Sequence, residues 1–154
     1  MVSLQKQYTK RLQKEFVSLQ ESQPRGITLS LVDDNLHLWR AVIPGPEDSP
    51  YSGGTFTAQI YIPEEYPLKP PTISFDTDSI PYHLNVHQTF GQVCLGFLTD
   101  DNWSPAATSM EQIVNALFSL LARPEPGNSM DHELLNQYTH FRYNYDHNAR
   151  ASVK

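Results

Sequence analysis

Cys94 is the only cysteine of the chain, and polar side chains gather around it: His83, Asn85 and His87 before it, Asp100, Asp101 and Asn102 after it. A thiol can accept an acyl group, and an asparagine amide can donate hydrogen bonds to the oxyanion that forms when such a group is passed on. These are the minimum parts for acyl transfer through a thioester. No dedicated base is required, because an acyl group arriving on another thiol already has a good leaving group and Cys94 need be ionised only part of the time. In a second step, attack by an amine puts negative charge on the carbonyl oxygen. A neutral donor such as Asn85 stabilises that charge, where a carboxylate would repel it.

Other chemistries fit less well. A cysteine hydrolase needs a base for the thiol and a group to orient that base. His83 and His87 are candidates, but the carboxylates of Asp100 and Asp101 would raise the pKa of a nearby thiol instead of lowering it. No metal site is expected: His83 and His87 are four apart with no helix predicted beneath them, and neither a CxxC nor an HExxH pattern occurs. Gly53-Gly54 is a turn signal and not a phosphate cradle. As an inert core residue, Cys94 would pack like a small hydrophobe. Its place in a long polar loop argues against that.

The elements that must position Cys94 follow from periodicity. Leu4, Tyr8, Leu12, Phe16 and Leu19 lie on one helical stripe, which Pro24 and Gly26 stop. Ile27–Val32 and Leu36–Ile43 alternate like strands about a turn at Asp33-Asp-Asn35. Gly54–Ile62 is a third strand, and Thr72–Phe75 a short fourth. From Pro81 to Pro105 no period stands out, and a loop of that length in a compact domain is a place to look for function. Thr108-Ser-Met-Glu111 has capping-box spacing. Met110, Ile113, Val114, Leu117, Leu120 and Leu121 then share a helix face ended by Pro124 and Pro126. Asn128 or Ser129 would cap a third helix from about Asp131, and Thr139–Ala151 reads as a last, more exposed helix. Trp103 is by type a core anchor. The order predicts an α+β fold: an N-terminal helix, a four-stranded antiparallel meander, a long loop, then C-terminal helices.

With 154 residues and 39% hydrophobic content, the whole of residues 1–154 is expected to form one domain with its own core. A formal charge of −6 argues against nucleic-acid binding. No apolar run approaches the ~18 residues of a membrane span. The start, Met1-Val-Ser-Leu, has neither a secretory apolar core nor a glycine at position 2 for myristoylation. A single cysteine forms no internal disulfide, which suits a reducing compartment, cytoplasm or nucleus. Lys6, Lys10, Arg11 and Lys14 cluster near the start, either as a solvated helix face or as a docking surface for an acidic partner.

Several segments taken together resemble one family. Lys10-Arg-Leu-Gln-Lys-Glu-Phe16, Trp39, Ile43-Pro-Gly-Pro46, Tyr51-Ser-Gly-Gly54, Tyr66-Pro-Leu-Lys-Pro-Pro71, His83-Leu-Asn85, Gly91-Gln-Val-Cys-Leu95 and Trp103-Ser-Pro-Ala106 are similar, in order and content, to the signature segments of ubiquitin-conjugating enzymes. The likeness runs from about residue 4 to about 150.

The resemblance implies a transferase with that family's fold. Cys94 would carry ubiquitin, or a ubiquitin-like protein, as a thioester received from an activating enzyme, and would pass it to a substrate lysine, usually with a ligase. Asn85 would stabilise the oxyanion or hold the loop, and His83 would tie the loop by hydrogen bonds, with Leu84 and Trp103 as its structural neighbours. Lys10, Arg11, Lys14, Leu68, Pro105 and Ala106 would meet the activating enzyme and the ligase, and Thr28 a second, non-covalent ubiquitin. The chain would act as a monomer without metal or cofactor of its own, since ATP is used by the activating enzyme. The alternatives are a conjugating enzyme for another ubiquitin-like modifier and a non-catalytic binding module on the same fold.

The sequence also departs from the family pattern. Leu84 replaces a proline. The spacings from Asn85 to Cys94 and from Cys94 to Trp103 are each one residue longer than the commonest. Gly96 stands where an aspartate is frequent, and Asn128 where an acidic residue often gates the lysine. Leu68 replaces a frequent phenylalanine, which favours RING-type over HECT-type ligases as partners. These changes imply slower discharge to lysine or a narrower range of acceptors.

Overall fold

In the computed structural model, which describes residues 3–153, the first helix, α1 (Leu4–Ser22), is capped by the Ser3 hydroxyl. Met1 and Val2, part of the start read above, and Lys154 lie outside the described residues. The predicted stripe on α1 buries only from its middle: Leu12, Phe16 and Leu19 enter the core, whereas Leu4 is 63% exposed. Tyr8, between them on the stripe, is half-buried. A left-handed Gln23 (φ 45°) ends the helix ahead of a 3₁₀ turn at Pro24–Gly26.

Four strands follow: β1 (Thr28–Val32), β2 (Asn35–Pro44), β3 (Thr55–Tyr61) and β4 (Thr72–Phe75). They form one antiparallel sheet in chain order. Asp33 and Asp34 both have positive φ, 52° and 58°, the requirement of a tight hairpin turn that aspartate tolerates. Register lines up one buried row as Leu29–Ala41–Ala58–Phe75 and another as Trp39–Ile60–Ile73. The opposite face carries Thr28, Ser30 and Arg40, all exposed.

The second helix, α2 (Met110–Ala122), buries all six apolar residues predicted to face inward. Phe16 of α1 meets Trp39 of β2 edge-on at 5.1 Å, so helices and sheet share one core. The capping box of α2 is set one residue later than predicted, with Ser109 as the cap and Gln112 as its reciprocal partner. The cause is tertiary. Arg11 donates to the Thr108 carbonyl (2.9 Å) and Glu15 accepts from the Met110 amide (2.7 Å), which fixes the helix start against α1.

Helix α3 (His132–His140) is capped by Asp131 itself, not by Asn128 or Ser129. The Ser129 hydroxyl is engaged with the Asp131 backbone, and the Asn128 amide donates to Glu125 (3.1 Å). The last helix, expected over Thr139–Ala151, starts three residues later. After a break at Phe141, α4 (Arg142–Ala151) buries Tyr145 and Ala149.

Candidate functional site

Between β4 and α2 the chain has no strand or helix beyond a 3₁₀ turn at Gly96–Leu98. This long loop is nonetheless pinned along its length. Val86 bridges Val93 and Ser74 bridges Gln92, so residues on either side of the loop tip run antiparallel. Gly91 (φ 82°) makes the return possible: a Cβ there would lie 2.2 Å from the Phe75 carbonyl oxygen, which only glycine avoids.

His83 is fully buried. Its Nδ1 accepts the Asn85 amide at 3.0 Å, which leaves Nε2 to carry the proton and donate to the Leu120 carbonyl at 2.7 Å. Burial lowers its pKa to about 4, and the bond to Leu120 only partly opposes that shift. The ring is thus neutral near pH 7 and occupied on both nitrogens; its geometry is that of a brace between the loop and α2.

Leu84 is also fully buried, in a small second cluster with Leu134 and Tyr145. Its N–H donates to the Tyr145 hydroxyl at 3.2 Å, and its carbonyl accepts the Met130 amide at 2.8 Å. A backbone donor and an apolar side chain therefore hold the loop where a proline would have constrained φ. Burial lifts the Tyr145 pKa to about 12, so the phenol stays protonated. The Tyr51 hydroxyl donates to the Tyr82 carbonyl and fastens the loop from the sheet side.

Asn85 is buried, and its side-chain amide is fully engaged away from the thiol. Nδ2 donates to the carbonyls of Glu125 (2.8 Å) and Asn128 (2.9 Å), and Oδ1 accepts the Glu125 amide (2.8 Å). Toward Cys94 it offers its backbone: the Asn85 carbonyl accepts the Cys94 N–H at 2.9 Å. Both amide hydrogens are thus committed to the 125–128 segment in this state, and an oxyanion role would require one of them to be released.

Cys94 is partly exposed. Its thiol pKa is raised, first by burial and then by the negative charge of Glu125. Glu125, which sequence reasoning passed over, is the carboxylate acting on the thiol; Asp100 and Asp101 are exposed and exert no such effect. The signal lay in the α2–α3 connection, but nothing local showed that the Asn85 amide would draw it over the thiol loop. The thiol borders an open groove of about 580 Å³ lined by Gln59, Tyr61, Thr72, Leu98 and Met130 among others, none of them charged. Among the described residues no group of three possible ligands could hold a metal ion.

The residues expected at a docking surface divide. Lys10 and Lys14 are exposed. Arg11 is turned inward, bonding Glu15 (2.8 Å) and the Thr108 carbonyl and lying 5.3 Å from the centre of the Tyr66 ring. Trp103 is half-buried, and its indole N–H donates to the Pro67 carbonyl at 2.8 Å. That bond ties the loop carrying Leu68, 57% exposed, to the loop carrying Pro105 and exposed Ala106. Thr28 stands on the outer sheet face beside Val42, away from these groups. Among the described residues no helix is long and apolar enough to cross a membrane.

Comparison with known proteins adds two findings. Residues 11–153 match the profile of a protein family described as ubiquitin-conjugating enzyme. The chain is also similar to the protein named ubiquitin conjugating enzyme E2 B of Dictyostelium discoideum, with 35% identity over 145 residues, 94% of this chain and 95% of that protein.

Proposed function

Because the chain belongs to the ubiquitin-conjugating enzyme family, we propose that it accepts ubiquitin from an activating enzyme as a thioester on Cys94 and transfers it to a lysine amine, with a ligase assisting the second step. The observation that carries this reading is the placement of the single thiol: partly exposed, at the edge of an uncharged groove, on a loop braced by His83, Leu84 and Asn85. A non-catalytic binding module would have no use for a thiol held in that way.

The raised thiol pKa suits the chemistry. A thioester in the incoming donor needs only a small thiolate fraction to exchange, and a thiol that is not strongly acidic keeps its nucleophilicity. In this reading Asn85 acts first as the clamp on the 125–128 segment. Lys10 and Lys14, with Leu68, Pro105 and Ala106, offer a cationic and an apolar patch to the activating enzyme and the ligase, and Leu68 in place of an aromatic residue favours a RING-type partner. Thr28 faces a second ubiquitin. The protein works as a monomer in the cytoplasm or nucleus, on protein substrates, with ATP consumed by the activating enzyme alone.

The test is a charging assay with activating enzyme, ATP and ubiquitin, read without reductant. A ubiquitin-sized mass increase that disappears on adding thiol and is absent from Cys94→Ala supports the reading. No adduct, beside a control enzyme that charges, rejects ubiquitin as the modifier.

A further inference from the structure

The frequent acidic positions of the family are filled here by Gly96 and Asn128, which leaves the charge that would attract a lysine unaccounted for. Glu125 stands between them. Its Oε1 accepts the Gly96 amide at 2.9 Å and the Asn128 side-chain amide at 3.1 Å. Its backbone is clamped on both sides by the Asn85 side chain, at 2.8 Å each. A Cβ at position 96 would lie 2.9 Å from Asn128 Nδ2 and 3.4 Å from Glu125 Oε1. The carboxylate and its amide partner thus occupy the space that a side chain at 96 would fill. Glu125 Oε2 makes no hydrogen bond among the described residues.

We propose that Glu125 is the acid that receives the acceptor lysine, with Gly96 as the vacancy that admits it and Asn128 as the residue that aims it. This inference rests on the thioester reading given above. A lysine arrives as an ammonium at neutral pH and must lose a proton before its nitrogen can attack. The free Oε2 pairs with one ammonium N–H and takes that proton, the nitrogen's freed lone pair then bonds to the thioester carbonyl carbon, and the carboxyl releases the proton to solvent. When the carbon–sulfur bond breaks, the electron pair leaves on Cys94 sulfur and the second proton from nitrogen goes to that thiolate. The products are an isopeptide, the free thiol and one proton in solution. The same carboxylate raises the Cys94 thiol pKa, as a charge close to the sulfur must.

Glu125→Gln keeps an amide oxygen for Gly96 and Asn128 and replaces the charged, proton-accepting Oε2 with an NH2 group. Wild type and variant would be charged with ubiquitin, the activating enzyme quenched, and the thioester chased with free lysine or free cysteine from pH 6.5 to 9.5. The ratio of lysine to cysteine discharge should fall about a hundredfold at pH 7 in the variant, the lower end of general acid–base effects. The deficit should close toward pH 9.5 as the amine deprotonates itself, and adding Asn128→Asp should restore the ratio. An unchanged ratio, or equal slowing of both chases, would overturn the inference. Failure of the wild type to charge on Cys94 at all is a separate result that removes the thioester reading, and this inference with it.

Discussion

At the scale of single residues, the site depends on side chains whose hydrogen bonds are spent on holding backbone. Asn85 closes three bonds to residues 40 and 43 positions away. Asn85→Ala would leave the Glu125 amide and two carbonyls without their partner, and is expected to cost about 2 to 3 kcal/mol in chemical denaturation. A residue acting only on an oxyanion would give slow transfer with unchanged stability. His83 predicts a pH dependence. Its folded pKa of about 4 lies below the ordinary value near 6.5, so the unfolded chain binds the extra proton between those limits. The contribution is complete above about pH 6.5 and is lost as pH falls toward 4, by about 3 kcal/mol in all. Denaturation midpoints should fall through that window in the wild type, and less steeply in His83→Asn. A flat wild-type profile would show the ring to be accessible in the native state.

At the scale of elements, regular structure was largely legible because it is local. The six inward positions of α2 and the Asp33-Asp34 turn needed only period and residue type. What was illegible came from partners distant in sequence. The cap of α2 moved from Thr108 to Ser109 because Arg11 and Glu15 on α1 hold the neighbouring backbone. The Asn85 amide could be placed near Cys94, but its commitment to residues 125–128 could not, and with it Glu125 was missed. The division between α3 and α4 was legible, but its boundary fell at Phe141 and not at Thr139, because no glycine or proline marks it. Leu84 shows the same limit. By type it loosens the loop, yet in place its N–H meets Tyr145 and its side chain fills the cluster beneath α3 and α4. Leu84→Pro is therefore expected to destabilise by about 2 to 4 kcal/mol, through a lost donor and a lost buried side chain. Thermal or urea unfolding would measure it; a more stable variant with faster lysine discharge would show that the ring constraint outweighs those contacts.

At the scale of the whole molecule, one face gathers Lys10 and Lys14 on α1 with the loops of Leu68 and of Pro105-Ala106, joined by the Arg11–Glu15–Met110 and Trp103–Pro67 bonds. Neighbours on α1 should thus behave differently. Lys10→Glu with Lys14→Glu should slow charging severalfold, with a deficit that shrinks as salt screens the interaction, and leave the unfolding midpoint nearly unchanged. Arg11→Ala should instead lower stability by about 1 to 3 kcal/mol. That Cys94 carries the modifier can be read from the intact mass of Cys94→Ser after incubation with activating enzyme, ATP and ubiquitin. The expected result is one added ubiquitin on an oxyester that survives thiol but not alkali. No added mass on the serine variant, alongside a wild-type adduct that thiol leaves intact, would contradict it.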